Sequence, residues 1–217
     1  MRIAVLGTGM VGRAIGTKLI ELGHEVRMGS RSADHPGGLE WAAESGANAS
    51  LGTFADAADF GEVVVNATGG AASLAALRAA GAPALAGKIL IDIANPLDFS
   101  GESVTLSVVN TDSLGEQIQR EFPEARVVKT LNTLNASVMV DPSRVPGDHT
   151  LFVCGNDDKA KRTVTDLLVS FGWPSSGIID LGDISGARST EMLLPIWLRL
   201  LSTFGHSDFN FHIQRAR

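Results

Sequence analysis

The sequence predicts an α/β protein built on a doubly wound parallel sheet with a small C-terminal extension. Three observations carry this. The first 30 residues run strand, glycine turn, helix, strand, the length of a βαβ unit. The same alternation then recurs to the end of the chain. The strand segments are continuous apolar runs rather than polar–apolar alternations, as expected for strands buried on both faces.

The elements follow in order. Arg2-Ile3-Ala4-Val5-Leu6 is the first strand, and the glycine turn comes directly after it. Residues 10–22 place Met10, Val11, Ala14, Ile15, Leu19 and Leu22 on one helical face, and Gly23 ends that helix. Glu25-Val26-Arg27-Met28 is the second strand. A helix over 38–45, a short segment at 48–51 and a helical turn over 54–59 lead to a strong strand at 62–66. An alanine- and leucine-rich helix over 71–80 precedes a strand over 88–93, which Asn95-Pro96 terminates. Beyond it the pattern predicts helix 112–122, strand 125–129, strand 149–154, helix 159–171, strand 177–181 and one final, strongly apolar helix over 185–203. The turn-rich stretch 141–148 is the expected boundary between a cofactor-binding part, residues 1–145, and a smaller part, residues 146–217.

Composition bounds the function. With 217 residues, 44% of them hydrophobic, the chain has ample material for a core, which excludes disordered and fibrous classes. A formal net charge of −6 with scattered basic residues argues against nucleic acid as partner. No apolar run approaches the roughly 20 residues of a membrane span. The start of the chain shows no signal-peptide pattern, so the expected location is cytoplasmic. Cys154 is the single cysteine, expected as a buried, inert thiol, and the five histidines show no metal-ligand spacing. Asp157 and Asp158 are expected at the N-terminus of a helix.

The residues that carry chemistry begin at Gly7-Thr8-Gly9-Met10-Val11-Gly12, a G-x-G-x-x-G that follows a strand, opens a helix and is completed by a second strand. Gly7 permits the tight turn, Gly9 lets backbone approach a pyrophosphate, and Gly12 allows close helix–strand packing, while the helix N-terminus faces the anion. This is the Rossmann fingerprint. At the end of the second strand, where an Asp or Glu would accept the ribose hydroxyls of NAD, stand Gly29-Ser30-Arg31-Ser32. An Arg fork between two hydroxyls suits a 2′-phosphate, so NADP is the expected cofactor; the competing reading is a plain turn. Asn66-Ala67-Thr68-Gly69-Gly70 and Ala94-Asn95-Pro96-Leu97, at the ends of later strands, are candidates to line the nicotinamide crevice. Asn132 and Asn135 follow another strand, with helix capping an alternative for Asn135. Lys129 reads either as a proton donor or as a solvated or paired surface group. There is no H-E-x-x-H, C-x-x-C or G-x-S-x-G, and no tyrosine at all.

Together these motifs resemble the coenzyme F420-dependent NADP oxidoreductase family, a small Rossmann group similar to the reductase domain of six-transmembrane metalloreductases. The resemblance spans nearly the whole chain. It rests on the fingerprint, on Gly29-Ser30-Arg31, on Val128-Lys129-Thr130-Leu131-Asn132-Thr133, on Val153-Cys154-Gly155-Asn156-Asp157-Asp158, and on Ala187-Arg188-Ser189-Thr190-Glu191 leading to Pro195. It implies direct hydride exchange between NADP and a deazaflavin, coenzyme F420, or a flavin-like second substrate, with no acid–base dyad. It further implies Thr8, Gly9, Met10 and Val11 on the pyrophosphate, Ser30 and Arg31 on the 2′-phosphate, and Asn132 with Leu134 beside the rings as acceptor-side candidates. Leu194, Pro195, Ile196 and Trp197 would then belong to a helix that closes the pocket or pairs subunits, giving an expected homodimer. Two rivals stand beside this reading: an NADP-binding or sensing module without turnover, and a reductase of a small imine or carbonyl using Lys129 as proton donor.

Overall fold

A computed structural model describes residues 1–216. The chain runs β1 (Arg2–Leu6), α1 (Met10–Glu21), β2 (Glu25–Ser30), α2 (Pro36–Ser45), β3 (Ala49–Thr53), α3 (Phe54–Phe60) and β4 (Val63–Asn66). It continues with α4 (Gly70–Ala80), α5 (Ala82–Leu85), β5 (Ile89–Asp92), β6 (Leu97–Asp98), β7 (Thr105–Leu106), α6 (Leu114–Glu121) and β8 (Arg126–Thr130). The last part holds α7 (Ala136–Val140), β9 (Leu151–Cys154), α8 (Asp158–Ser170), β10 (Ile178–Asp180), α9 (Gly186–Glu191) and α10 (Leu194–Phe204). Eight strands form one sheet in the order β10-β9-β8-β5-β4-β1-β2-β3.

Successive residues of the central strands enter opposite sides of the sheet, which is why their sequences are apolar without interruption. Ile3 and Val5 face a core shared with α1 and α8, through Ile15, Leu19, Val164 and Leu168. Ala4 and Leu6 face a second core with α3, α4 and α6, through Ala57, Leu77 and Ile118. Each fully buried Leu or Ile contributes about 1.5–3 kcal/mol, so the double covering is what holds the sheet. Strands β1, β4, β5 and β8 end level with one another, with Leu6 beside Asn66, Asn66 beside Asp92, and Asp92 beside Lys129. The chain reverses its winding between β1 and β4, and this switch point opens a crevice at their carboxyl ends.

Three features differ from the sequence expectation. The sheet is parallel from β3 to β8, but β9 pairs antiparallel with β8, and β10 follows β9. Strands β9 and β10 come from beyond residue 145 and extend the same sheet on the side of β8, with β10 at its edge. The expected single helix over 185–203 is two, α9 and α10, because Pro195 has no N–H to continue the ladder and its ring crowds the preceding turn. Residues 97–98 and 105–106 form a two-residue antiparallel ribbon, too short to show any periodicity in sequence. Asp157 caps α8 by accepting the Ala160 N–H at 2.8 Å, as expected. Cys154 is fully buried, and burial pushes its thiol up to about 12, so it is inert.

Candidate active site

The first wall of the crevice is the β1–α1 turn. Gly7 sits at φ +118°, and a Cβ there would lie 2.6 Å from the Ala67 carbonyl oxygen, so only glycine fits against the β4 end. Gly12 is tighter still, since its Cβ would meet the Gly7 carbonyl oxygen at 2.0 Å. Gly9 differs from both, because a Cβ there would meet nothing within 4 Å and would project into open space. That open cradle lies beside a free helix end: Gly9 caps α1 without any side-chain hydrogen bond, leaving first-turn amides for an anion. The N-terminus of α4, at Gly69, is likewise uncapped. By contrast α3, α6 and α8 carry Thr53, Ser113 and Asp157 as side-chain caps. An open cradle beside an uncapped helix end fits a phosphate-bearing ligand such as a dinucleotide.

At the end of β2, Ser30 is buried, accepts the Ser32 N–H at 3.1 Å and donates to the Ser32 carbonyl, so its hydroxyl shapes the turn. Ser32 in turn donates to Asp34. Arg31 is exposed and forms no ion pair among the described residues. Thr8 and His35 approach across this end of the crevice, 3.5 Å between Oγ1 and Nε2. Met10 is 75% exposed at the crevice mouth.

Beyond the switch point the crevice widens to about 500 Å³. The structure brings together there Val11 from α1, Ala67, Thr68, Gly69 and Gly70 after β4, Asn95 after β5, and Asn132 and Leu134 after β8. Pro96 is buried instead of lining the space, and its carbonyl accepts the Ser107 N–H at 2.8 Å to hold the β6–β7 ribbon. Gly70 is required for the close approach of α4 to β5, because a Cβ would sit 1.9 Å from the Asn95 carbonyl oxygen. Asn95 and Asn132 bridge the two strand ends: Asn95 Nδ2 donates to the Asn132 carbonyl at 2.7 Å, and Asn132 Nδ2 donates to Asn95 Oδ1 at 3.0 Å. Leu131 adopts φ +62°, an unfavourable conformation for a leucine that turns the chain after β8 toward Asn132. Asn135 caps α7 by accepting the Ser137 N–H at 2.9 Å, so its role is helix capping.

From the C-terminal part, Leu194 and Trp197 of α10 complete the lining. Trp197 Nε1 is buried without a hydrogen-bond partner among the described residues, an orphan donor in the crevice wall. Among the described residues no titratable side chain lines this space.

Lys129 corrects its sequence reading, since it is neither solvated nor at the surface. Its side chain is fully buried, and Nζ lies 2.8 Å from Asp92 Oδ2 and 2.8 Å from Glu191 Oε1, with a third donation to the Ala94 carbonyl. Burial opposes its charge, but the two carboxylates outweigh that and raise its pKa above the ordinary lysine value. With all three N–H groups engaged inside the protein, Lys129 offers no proton to a substrate. Burial pushes the Glu191 carboxyl up against the attraction of Lys129, and Glu191 also accepts the Leu114 and Gly115 N–H groups at the start of α6. Arg188 clamps the same helices together and holds Glu116 below the usual carboxylate range. Sequence reasoning missed Asp92, Ser73 and Glu191. The available signal was a polar residue placed at the end of otherwise apolar strands, as at Asn66, Asp92 and Lys129.

Fold, fingerprint and crevice define a Rossmann-type dinucleotide-binding protein. The profile of the family described as "NADP oxidoreductase coenzyme F420-dependent" matches residues 2–96. The crystal structure of a "putative f420 dependent nadp-reductase" from Arthrobacter sp. FB24 is 58% identical, with a TM-score of 0.93 over 98% of this chain and 99% of that one. Metalloreductase STEAP3 of Rattus norvegicus is 29% identical over 202 residues, 90% of this chain and 38% of that protein. The F420-dependent NADP reductase of Methanocaldococcus jannaschii is 31% identical over 118 residues, 54% of this chain and 52% of that protein. The chain thus spans well under two thirds of these two curated relatives. It belongs to the coenzyme F420-dependent NADP oxidoreductase family. No helix among the described residues is long and apolar enough to cross a membrane.

Proposed function

We propose that the chain is an NADP(H)-dependent oxidoreductase that exchanges hydride directly between the nicotinamide and a deazaflavin or flavin-like ring. The observation that carries this is the roomy crevice at the switch point, lined among the described residues by small, apolar and amide side chains and by no titratable group. Bound NADPH supplies the hydride. The chain's part is to hold two flat rings against each other and keep water from the reacting face, which needs positioning alone. An acceptor ring takes its accompanying proton from solvent at a ring nitrogen, so no acid is needed in the wall. Reduction of an imine or carbonyl would need a proton donor, and Lys129 is fully engaged and buried.

In this reading Gly7, Thr8, Gly9, Met10, Val11 and Gly12 surround the pyrophosphate, and Ala67, Thr68, Gly69 and Asn95 border the nicotinamide half. Asn132 and Leu134 lie on the acceptor side, where the part beyond residue 145 adds Leu194 and Trp197. The orphan Nε1 of Trp197 suits an acceptor rich in carbonyl oxygens. Mixing the protein and NADPH with coenzyme F420, and in parallel with FMN, should give rapid loss of NADPH absorbance with F420. Binding without oxidation by either acceptor would move the chain to the sensing reading.

Arg31, exposed and without an ion pair among the described residues, is the proposed ligand of the 2′-phosphate, supported by Ser30 and Ser32. Losing one charge-assisted contact of roughly 1.5–3 kcal/mol, Arg31→Ala should bind NADPH about ten- to a hundredfold more weakly and NADH almost unchanged. Equal losses for both, measured by titration, would remove Arg31 as the selector.

A further inference from the structure

The ion cluster beneath the crevice dictates the polarity of a hydroxyl in the crevice wall. Lys129 spends its N–H groups on Asp92, Glu191 and the Ala94 carbonyl, which holds Asp92 as a carboxylate able only to accept. Asp92 Oδ1 accepts from Asn66 Nδ2 at 2.8 Å, and the Ala94 N–H approaches the same oxygen at 3.2 Å. Because Asp92 cannot donate, the Asn66 amide has one permitted orientation, nitrogen toward Asp92 and oxygen away. The second N–H of Asn66 goes to Ser73 Oγ at 3.1 Å. Asn66 Oδ1 then faces Thr68, accepting its hydroxyl at 2.6 Å and lying 3.4 Å from its backbone nitrogen. The Thr68 proton is therefore committed inward. Ser73 Oγ lies 3.0 Å from Thr68 Oγ1, and 3.3 Å from the Gly69 carbonyl oxygen that can take its proton instead. Even if Ser73 donates to Thr68, one lone pair of Thr68 Oγ1 is left for a ligand donor. Thr68 belongs to the crevice lining, whereas Asn66 and Asp92 are fully buried behind it.

We propose that Thr68 accepts a hydrogen bond from the carboxamide N–H of the nicotinamide, and that Asp92 and Asn66 are positioning residues that fix this polarity from beneath. The proposal rests on the cofactor reading above and deepens it. Reversed polarity would set the Thr68 proton against the carboxamide nitrogen, so the buried cluster selects which way the carboxamide turns, and with it how the ring sits in the crevice.

The test is a comparison of two ligands by calorimetric titration: NADP+, and its 3-acetylpyridine analogue, which keeps the carbonyl but carries a methyl group in place of the amide nitrogen. Thr68→Val should weaken NADP+ binding by about three- to tenfold, the worth of one neutral hydrogen bond, and leave the analogue within about twofold of wild type. Thr68→Ser should bind both ligands as the wild type does. Asn66→Ala should weaken NADP+ selectively, and adding it to Thr68→Val should produce no further selective loss. A loss of equal size for both ligands in Thr68→Val would overturn the proposal, because the hydroxyl would then serve the ribose or the packing. If the wild type bound neither ligand, the cofactor reading itself would fall, an outcome separate from any effect of the variants.

Discussion

Lys129→Met should lower the stability of the folded protein by about 3–5 kcal/mol, the loss seen when one partner of a buried ion cluster is removed and the other charges stay behind. Methionine matches the length of the stem and fills the space, so lost packing contributes little. What remains is Asp92 and Glu191, both buried, with no cation between them. The dependence on pH has a definite sign. In the wild type the folded pKa of Lys129 lies above its ordinary 10.5, so its contribution is complete below that pH and is lost only as pH rises through the folded value. In Lys129→Met the Glu191 carboxyl, which burial pushes up and which no longer feels the lysine, takes up a proton more readily when folded than when unfolded. Stability should therefore recover more steeply in Lys129→Met than in the wild type as pH falls from 7 to 5, because in the wild type Lys129 holds the Glu191 carboxyl down against the effect of burial. Urea unfolding at the two pH values measures both effects. A loss below about 1 kcal/mol at pH 7 would show that the carboxylates find water or protons at little cost.

The fingerprint glycines should separate into two kinds. Gly12→Ala forces a methyl carbon to within 2.0 Å of the Gly7 carbonyl oxygen, a backbone atom that can yield only if the turn shifts. Overpacking of this kind costs about 1–3 kcal/mol, and the displaced turn should abolish measurable NADPH binding. Gly9→Ala meets nothing within 4 Å, and Gly9 has φ −79° and ψ −172°, which any residue adopts. Its melting temperature should match the wild type, while its methyl group occupies the cradle where a pyrophosphate must touch backbone, weakening NADPH by at least about tenfold. Thermal melts and cofactor titrations on the two variants distinguish these outcomes. Undiminished binding by Gly9→Ala would place the phosphates elsewhere.

Much of the fold was legible because its signals are local. Ile3-Ala4-Val5-Leu6 and Val63-Val64-Val65 announce strands covered on both faces, and Gly7, Gly9 and Gly12 state their spacing openly. The caps at Asn135 and Asp157 are equally local. Other features depend on partners far away in sequence. The direction of β9 is set by its pairing with β8, and the apolar pattern of Leu151-Phe152-Val153-Cys154 is the same for either direction. The break of residues 185–203 into two helices, by contrast, has a local cause, because Pro195 is written in the sequence and the apolar pattern that continues through Met192 masks it.

The site divides in the same way. The sequence by itself determined the cradle, the missing carboxylate after β2 and the strand ends that border the crevice, because each follows from residue type and short spacing. The tertiary structure alone decided the character of Lys129. Asp92 lies 37 residues before it and meets it only through the register of β5 with β8, while Glu191 arrives on α9. A lysine at a strand end is solvated in most settings, and burial with two carboxylates at 2.8 Å turns it into the anchor of a hydrogen-bond chain that ends at the crevice wall. The physical reason is that charge burial is permitted only by its partners, and which partners are present is a property of the fold.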